Sequence, residues 1–211
     1  MWHAEPPLHA AVRRHDLQSI ARLLSRSHDA TQRWAPFLDK HVLPRSAIEH
    51  AAQVRCVDCL SVLARDQSCF TQYRGVRLID WALRIVSEGT CSECVIELLR
   101  HGANPNAVLY PNGMTPLAIA AASGDSDSVE AMLHHGGNIN HQLRNGATPL
   151  MLAVSGQSRA SPDDVRLLIN LGARTDIKDS AGMTALDWVS NGYRVDRDIL
   201  CNILQESGCD H

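Results

Sequence analysis

The sequence predicts an all-α array of stacked helix–turn–helix repeats carrying short β-hairpin fingers, and three observations predict it. The stretch Gly113-Met114-Thr115-Pro116-Leu117-Ala118-Ile119-Ala120-Ala121-Ala122-Ser123-Gly124 returns as Gly146-Ala147-Thr148-Pro149-Leu150-Met151-Leu152-Ala153-Val154, with Thr148 33 residues after Thr115. A weaker copy is Gly182-Met183-Thr184-Ala185-Leu186-Asp187-Trp188-Val189. Gly102, Gly136 and Gly172 stand at matching intervals where second helices should stop. Self-similarity at this period signals a repeat architecture.

Each element has a local reason. Thr115 is a good N-cap, because its hydroxyl accepts from an otherwise unpaired first-turn amide. Pro116 follows at the first helical position, where a missing N–H costs nothing. Leu117, Ala120 and Ala121 share one helical face, and the alanines keep that face thin. Gly124 ends this helix in the left-handed conformation. A second helix follows with Val129, Met132 and Leu133 as its apolar stripe and Gly136 as its stop. Asn138-Ile139-Asn140 and Asn145-Gly146 then read as an extended finger with a tight turn. One such helix pair cannot cover its own apolar surface, so it must stack on neighbours.

These boxes resemble the ankyrin repeat, whose hallmark is Thr-Pro-Leu-His-x-Ala over about 33 residues. The resemblance is specific in residues 98–189 and degenerate outside them. It implies an ankyrin-repeat solenoid of about six repeats with degenerate terminal ones, at approximately 5–26, 45–68, 72–104, 110–138, 143–174 and 179–208. The whole chain, 1–211, is then expected to form a single domain, with 27–45 as an irregular insertion.

In chain order, Pro6-Pro7-Leu8-His9-Ala10-Ala11-Val12 is the first box, with His9 at the signature histidine position. Leu17, Ile20, Leu23 and Leu24 follow on its second helix. The box lies close to Met1, so no preceding domain is expected. Residues 27–45 carry helix breakers, Pro36 and Pro44, and Trp34 and Phe37 are expected to pin the segment by burial. Repeat two is poor: Ser46 to Ala52, then Val57, Leu60 and Leu63. Repeat three starts at Gln72-Tyr73-Arg74-Gly75, and its longer spacing predicts an enlarged inter-helix loop at Ser87-Glu88-Gly89-Thr90. Repeat five carries an enlarged loop, Ser155 to Ser161, closed by the strong helix start Ser161-Pro162-Asp163-Asp164. Repeat six ends near Gly208 as a C-terminal cap.

Twenty Lys and Arg against 23 Asp and Glu give a net charge of −3. Without a basic excess, nucleic acid is not the expected ligand. No stretch approaches the ~20 apolar residues of a membrane span, and the N-terminus lacks the apolar core of a signal peptide. Seven cysteines without a secretion signal fit a reducing compartment, so cytoplasm or nucleus is expected. The expected partner is another protein, bound by a monomer without a cofactor.

Cys56-Val57-Asp58-Cys59 and Cys91-Ser92-Glu93-Cys94 invite a four-cysteine zinc site. Cys56 and Cys91 each lie seven residues before an equivalent leucine, Leu63 or Leu98, so the pairs occupy one repeat position twice. Adjacent stacked helices lie ~8–10 Å apart, too far for four thiolates around one ion. Small buried thiols are expected instead, with a metal- or redox-responsive scaffold as an alternative. His101, His134 and His135 precede helix-ending glycines, where a cation suits the helix dipole. There is no nucleophile elbow, phosphate-cradling loop or dinucleotide fingerprint. No enzyme is expected.

In the ankyrin family the finger tips and the helix ends after the Ala-Ala pair contact ligands. By position, the resemblance implies partner binding by Tyr73, Arg74, Val76, Arg84, Pro111, Asn112, Met114, Arg144, Asn145 and Met183. Other candidates by position are Arg13, Arg14, Gln53, Val54, Ile85, Ala122, Ser123, Ala147, Ser180 and Ala181. Asn106 and Asn140 match an asparagine that in the family is a structural hydrogen-bonder and sometimes a substrate for hydroxylation. Trp81, Ile119, Leu152 and Trp188 share one column, expected to pack between repeats. The resemblance thus implies a non-enzymatic protein-binding module acting through a concave face. The alternative is a substrate-recognition adaptor of a ubiquitin ligase, for which no recruitment box is seen after residue 207.

Overall fold

The computed structural model describes residues 7–25, 46–73, 75–89, 91–192 and 194–208, Tyr73 by its backbone alone. The insertion 27–45, with Trp34 and Phe37, lies outside the described residues. The chain falls into two compact units, residues 1–103 and 104–211.

Among the described residues the first unit holds three helix pairs: α1 (Pro7–Arg13) with α2 (Leu17–Ser25), α3 (Ala47–Gln53) with α4 (Val57–Ala64), and α5 (Leu78–Glu88) with α6 (Ser92–Arg100). First helices pack in the order α1, α3, α5, and second helices in the order α2, α4, α6. A two-stranded antiparallel hairpin, β1 (Gln72–Tyr73) and β2 (Val76–Arg77), leads into α5. Val12, Ile20, Ile48, Leu60, Leu63, Ile79, Leu83 and Leu98 are fully buried between the pairs.

The second unit repeats the plan with α7 (Pro116–Ser123) and α8 (Ser126–His134), α9 (Pro149–Val154) and α10 (Pro162–Asn170), α11 (Ala185–Asn191) and α12 (Arg197–Gly208). Helices α7, α9 and α11 stack in that order, and α10 packs on α12. Thr115, Thr148 and Thr184 each cap a first helix, accepting from the amides of Ala118, Met151 and Asp187. Prolines follow the first two at the helix start, as the boxes predict. Gly124 closes α7 in the left-handed conformation, φ +71.

The enlarged loop expected at residues 87–90 does not begin at Ser87. Ser87 and Glu88 belong to α5, which runs eleven residues where α7 runs eight. Val86 and Ser87 are buried, and the Ser87 hydroxyl donates to the Leu83 carbonyl at 2.8 Å. The added residues therefore continue the helix by one turn, because their inner face finds apolar cover. The loop Ser155 to Ser161 is present as expected, and it folds back onto α7. The Arg159 amide and the Ser158 hydroxyl both bond the Ala122 carbonyl, at 3.0 and 2.9 Å.

Candidate functional site

The exposed edge of the second unit is made by three finger turns. Each turn closes on itself: Leu109 donates to the Met114 carbonyl, Leu143 to Ala147 and Asp179 to Met183. A glycine with positive φ completes each turn, Gly113, Gly146 and Gly182. The fingers are also joined to one another. The Arg144 amide donates to the Asn112 carbonyl at 2.9 Å, and the Ser180 amide to the Asn145 carbonyl at 2.8 Å. The Gln142 side chain acts in the same way, its Nε2 donating to both the Gly146 and Lys178 carbonyls. His141 Nε2 lies 3.0 Å from the Gly113 carbonyl. Three consecutive tips are thus held in one register by backbone bonds.

On this edge Pro111, Asn112, Arg144, Asn145, Ser180 and Ala181 are exposed, while Met114 and Met183 are half-buried and Ala147 is buried. The Asn112 and Asn145 side chains accept from the amides two residues on, so they shape the turns. Asp179 does the same for the third turn and also accepts from the Trp188 indole at 2.8 Å. The Met183 amide first, then the Trp188 indole, holds the Asp179 carboxyl below the usual carboxylate range. Ala122 and Ser123 are half-buried, with the Ala122 carbonyl taken by the loop after α9.

In the first unit the candidates are less open. Arg84 has only 16% of its side chain exposed, bonds Glu88 at 2.7 Å and lies over the Trp81 ring at 5.5 Å. That arrangement ties it into α5. Val76 and Ile85 are half-buried, and Arg13, Arg14, Gln53 and Val54 are exposed. Arg74 and the Tyr73 side chain lie outside the described residues. In the shared column Ile119 is buried, whereas Trp81, Leu152 and Trp188 are half-buried.

Asn106 and Asn140 bridge consecutive repeats at both ends of their amides. Asn106 Nδ2 donates to the Gly136 carbonyl at 2.8 Å and its Oδ1 accepts from the Asn138 amide at 2.8 Å. Asn140 repeats this with the Gly172 carbonyl, 3.0 Å, and the Arg174 amide, 2.9 Å. These bonds take up the carbonyls of the glycines that follow α8 and α10 and tie each to the neighbouring repeat.

The cysteine pairs differ from the separate thiols expected. Cys56 is joined to Cys59, and Cys91 to Cys94, each pair closing within its own repeat. Both pairs take the N-cap and third-residue positions that Asp125 and Ser128 occupy in the second unit. Sequence reasoning also missed Arg194. Its guanidinium reaches the Ala153 carbonyl at 2.9 Å and the Ala160 carbonyl at 2.6 Å, and forks onto Asp196 at 2.8 and 2.7 Å. That contact holds the Asp196 carboxyl below its ordinary range. No motif marks Arg194; its partners come from two other segments of the chain.

This geometry of capped helix pairs and zipped fingers is that of the ankyrin repeat, and comparison with known proteins agrees. A family model described as ankyrin repeats in three copies matches residues 82–179. A solved structure, EF0377, an ankyrin repeat protein, superposes with a TM-score of 0.73 at 20% identity, covering 97% of this chain and 99% of that one. The mouse (Mus musculus) B-cell lymphoma 3 protein homolog is 31% identical over 185 residues, 86% of this chain and 39% of that protein. Human (Homo sapiens) ankyrin repeat and SOCS box protein 6 is 34% identical over 117 residues, 54% of this chain and 27% of that protein. The chain is an ankyrin-repeat protein. It spans well under half the length of these two relatives. Among the described residues no helix is long and apolar enough to cross a membrane.

Proposed function

We propose that this chain binds another protein, without catalysing a reaction, through the exposed finger edge of residues 104–211. The observation that carries the reading is the backbone bonding from Asn112 to Arg144 and from Asn145 to Ser180. An edge already held in register loses little further freedom on binding, which favours affinity. Pro111, Asn112, Arg144 and Asn145 are its outward contacts, with Met114 and Met183 as half-covered apolar ones. By family position Tyr73, Arg74 and Val76 form a second candidate set, without Arg84, which is tied to Glu88 and Trp81. We take the protein to act as a monomer in the cytoplasm or nucleus.

The test places a photo-activatable cross-linking residue at position 145 and identifies what it captures in cells. A partner captured there should be lost with Arg144→Glu and retained with Arg166→Glu, whose side chain is exposed on α10. Equal capture by both charge reversals sinks the assignment. The likeness to an ankyrin repeat and SOCS box protein supports a second reading, a substrate-recognition adaptor for ubiquitin ligation. Under that reading the captured partner is ubiquitinated in cells in a manner dependent on this chain; unchanged ubiquitination on its removal dismisses the reading.

A further inference from the structure

Three potential ligand atoms from two repeats meet in the first unit. One ring nitrogen of His15 and the sulfurs of Cys56 and Cys59 all lie within 4.8 Å of one another. His15 follows α1, Cys56 caps α4 and Cys59 sits in the first turn of α4. The repeat register explains the meeting. His15 has φ +55 and holds the left-handed position after its first helix that Gly124 holds in repeat four. Asp16 and Cys56 likewise hold the next position, each bonding back to the alanine five residues earlier. The residue after a first helix in one repeat therefore faces the start of the second helix in the following repeat.

We propose that His15, Cys56 and Cys59, with the cysteine pair reduced, form a binding site for a zinc-like divalent cation. Zinc takes sulfur at about 2.3 Å and nitrogen at about 2.0–2.1 Å in a tetrahedron. Its ligand atoms then stand roughly 3.3–3.8 Å apart, within reach of the present spacing by side-chain rotation. The joined pair opens on two-electron reduction by a phosphine or thiol reductant, taking up two protons to give two thiols. Each thiol loses its proton on binding, so one Zn²⁺ is bound as two thiolates with two H⁺ released. Neutral His15 donates its ring lone pair. The ion's double charge is balanced by the two thiolates, and the Cys59 amide donates to Cys56 Sγ at 3.2 Å, which fixes where that sulfur sits. His15 is exposed while both cysteines are buried. The fourth position is therefore left to water on the solvent side.

The second pair supplies an internal control. Arg55 takes the place of His15 one repeat on, also with φ +55. Its Nη2 lies 2.9 Å from where a Cβ on Gly89 would stand, in the turn leading to Cys91. A guanidinium is always protonated and has no lone pair to offer. One ion per chain follows, not two.

The test uses the full chain, reduced with a phosphine and freed of metal, then titrated with Co²⁺ and Zn²⁺. One equivalent should bind, with thiolate-to-cobalt charge-transfer absorption. His15→Gly should weaken binding by more than about 100-fold, since even the loss of an outer partner of a ligand costs 10–100-fold. Glycine suits the left-handed backbone there, so an unchanged circular dichroism spectrum separates ligand loss from unfolding. Cys91→Ser/Cys94→Ser should leave affinity unchanged. The proposal is overturned if the reduced wild type binds no equivalent, if His15→Gly binds as tightly, or if the second pair is required.

Discussion

Gly146→Ala should destabilise the second unit more than Gly182→Ala, although both glycines close the same turn in successive fingers. Both have φ +78. At Gly182 nothing lies within 4 Å of an added Cβ, so the cost is the left-handed conformation alone, about 1–2 kcal/mol. At Gly146 the Cβ would stand 2.7 Å from the Ser180 nitrogen and 2.8 Å from the Asp179 Cα. Those atoms are backbone and cannot swing away. The fingers must part, and the 2.8 Å bond from the Ser180 amide to the Asn145 carbonyl is lost. That bond contributes about 0.5–1.5 kcal/mol more, for a total of roughly 1.5–3.5 kcal/mol before any residual overlap is added. Urea unfolding of the two variants gives the difference, and hydrogen exchange reports on the Ser180 amide directly. Equal midpoints, with Ser180 as protected as in wild type, would refute the reasoning that the fingers are zipped.

Further outcomes follow from the same geometry. Arg194→Ala should cost about 2–4 kcal/mol, because a charged donor to two carbonyls is removed from a site where only 11% of its side chain is exposed. Arg194→Lys should recover little of this in the same thermal melts, since an ammonium cannot fork onto Asp196 and reach both carbonyls. Asn140→Ala should cost about 1–2 kcal/mol and speed exchange of the Arg174 amide, its partner across the repeat boundary. Acidification should lower the melting temperature of the second unit. Burial pushes the Asp164 carboxyl up, but the Ser126 and Ser161 bonds outweigh it and leave the group below its ordinary value; Arg194 lowers Asp196. Carboxyls depressed in the folded state contribute stability that is complete above the ordinary aspartate range, about pH 3.9. That stability is lost as pH falls below it through the folded values. A flat melting temperature from pH 5 to pH 2 would contradict the assignment.

Much of the fold was legible because its signals close within four residues. A threonine hydroxyl bonding an amide three positions on, a proline at the first helical residue and a glycine at positive φ need no knowledge of the rest of the chain. The repeats then follow, since the same local chemistry recurs at a fixed period at Thr115, Thr148 and Thr184. The direction of the extra residues after Ala82 was not legible: a longer spacing fits either a loop or another helical turn, and only the buried face of Val86 and Ser87 decides for the turn.

The candidate edge was half legible. Family position marked Pro111, Asn112, Arg144 and Asn145, but Arg84 carries the same mark and is folded onto Glu88 and Trp81. Which side chain stays open depends on neighbours that the one-dimensional pattern does not contain. Arg194 bonds carbonyls 34 and 41 residues away, and no local spacing encodes that. His15 is a harder case, because the insertion between the first two repeats shifts the count that would align it with Cys56. The sequence by itself determined the capped helices, their period and the family. The tertiary stack decided which side chains from different repeats face one another, because stacking sets that register through apolar contact along whole helices rather than through any bond the local sequence specifies.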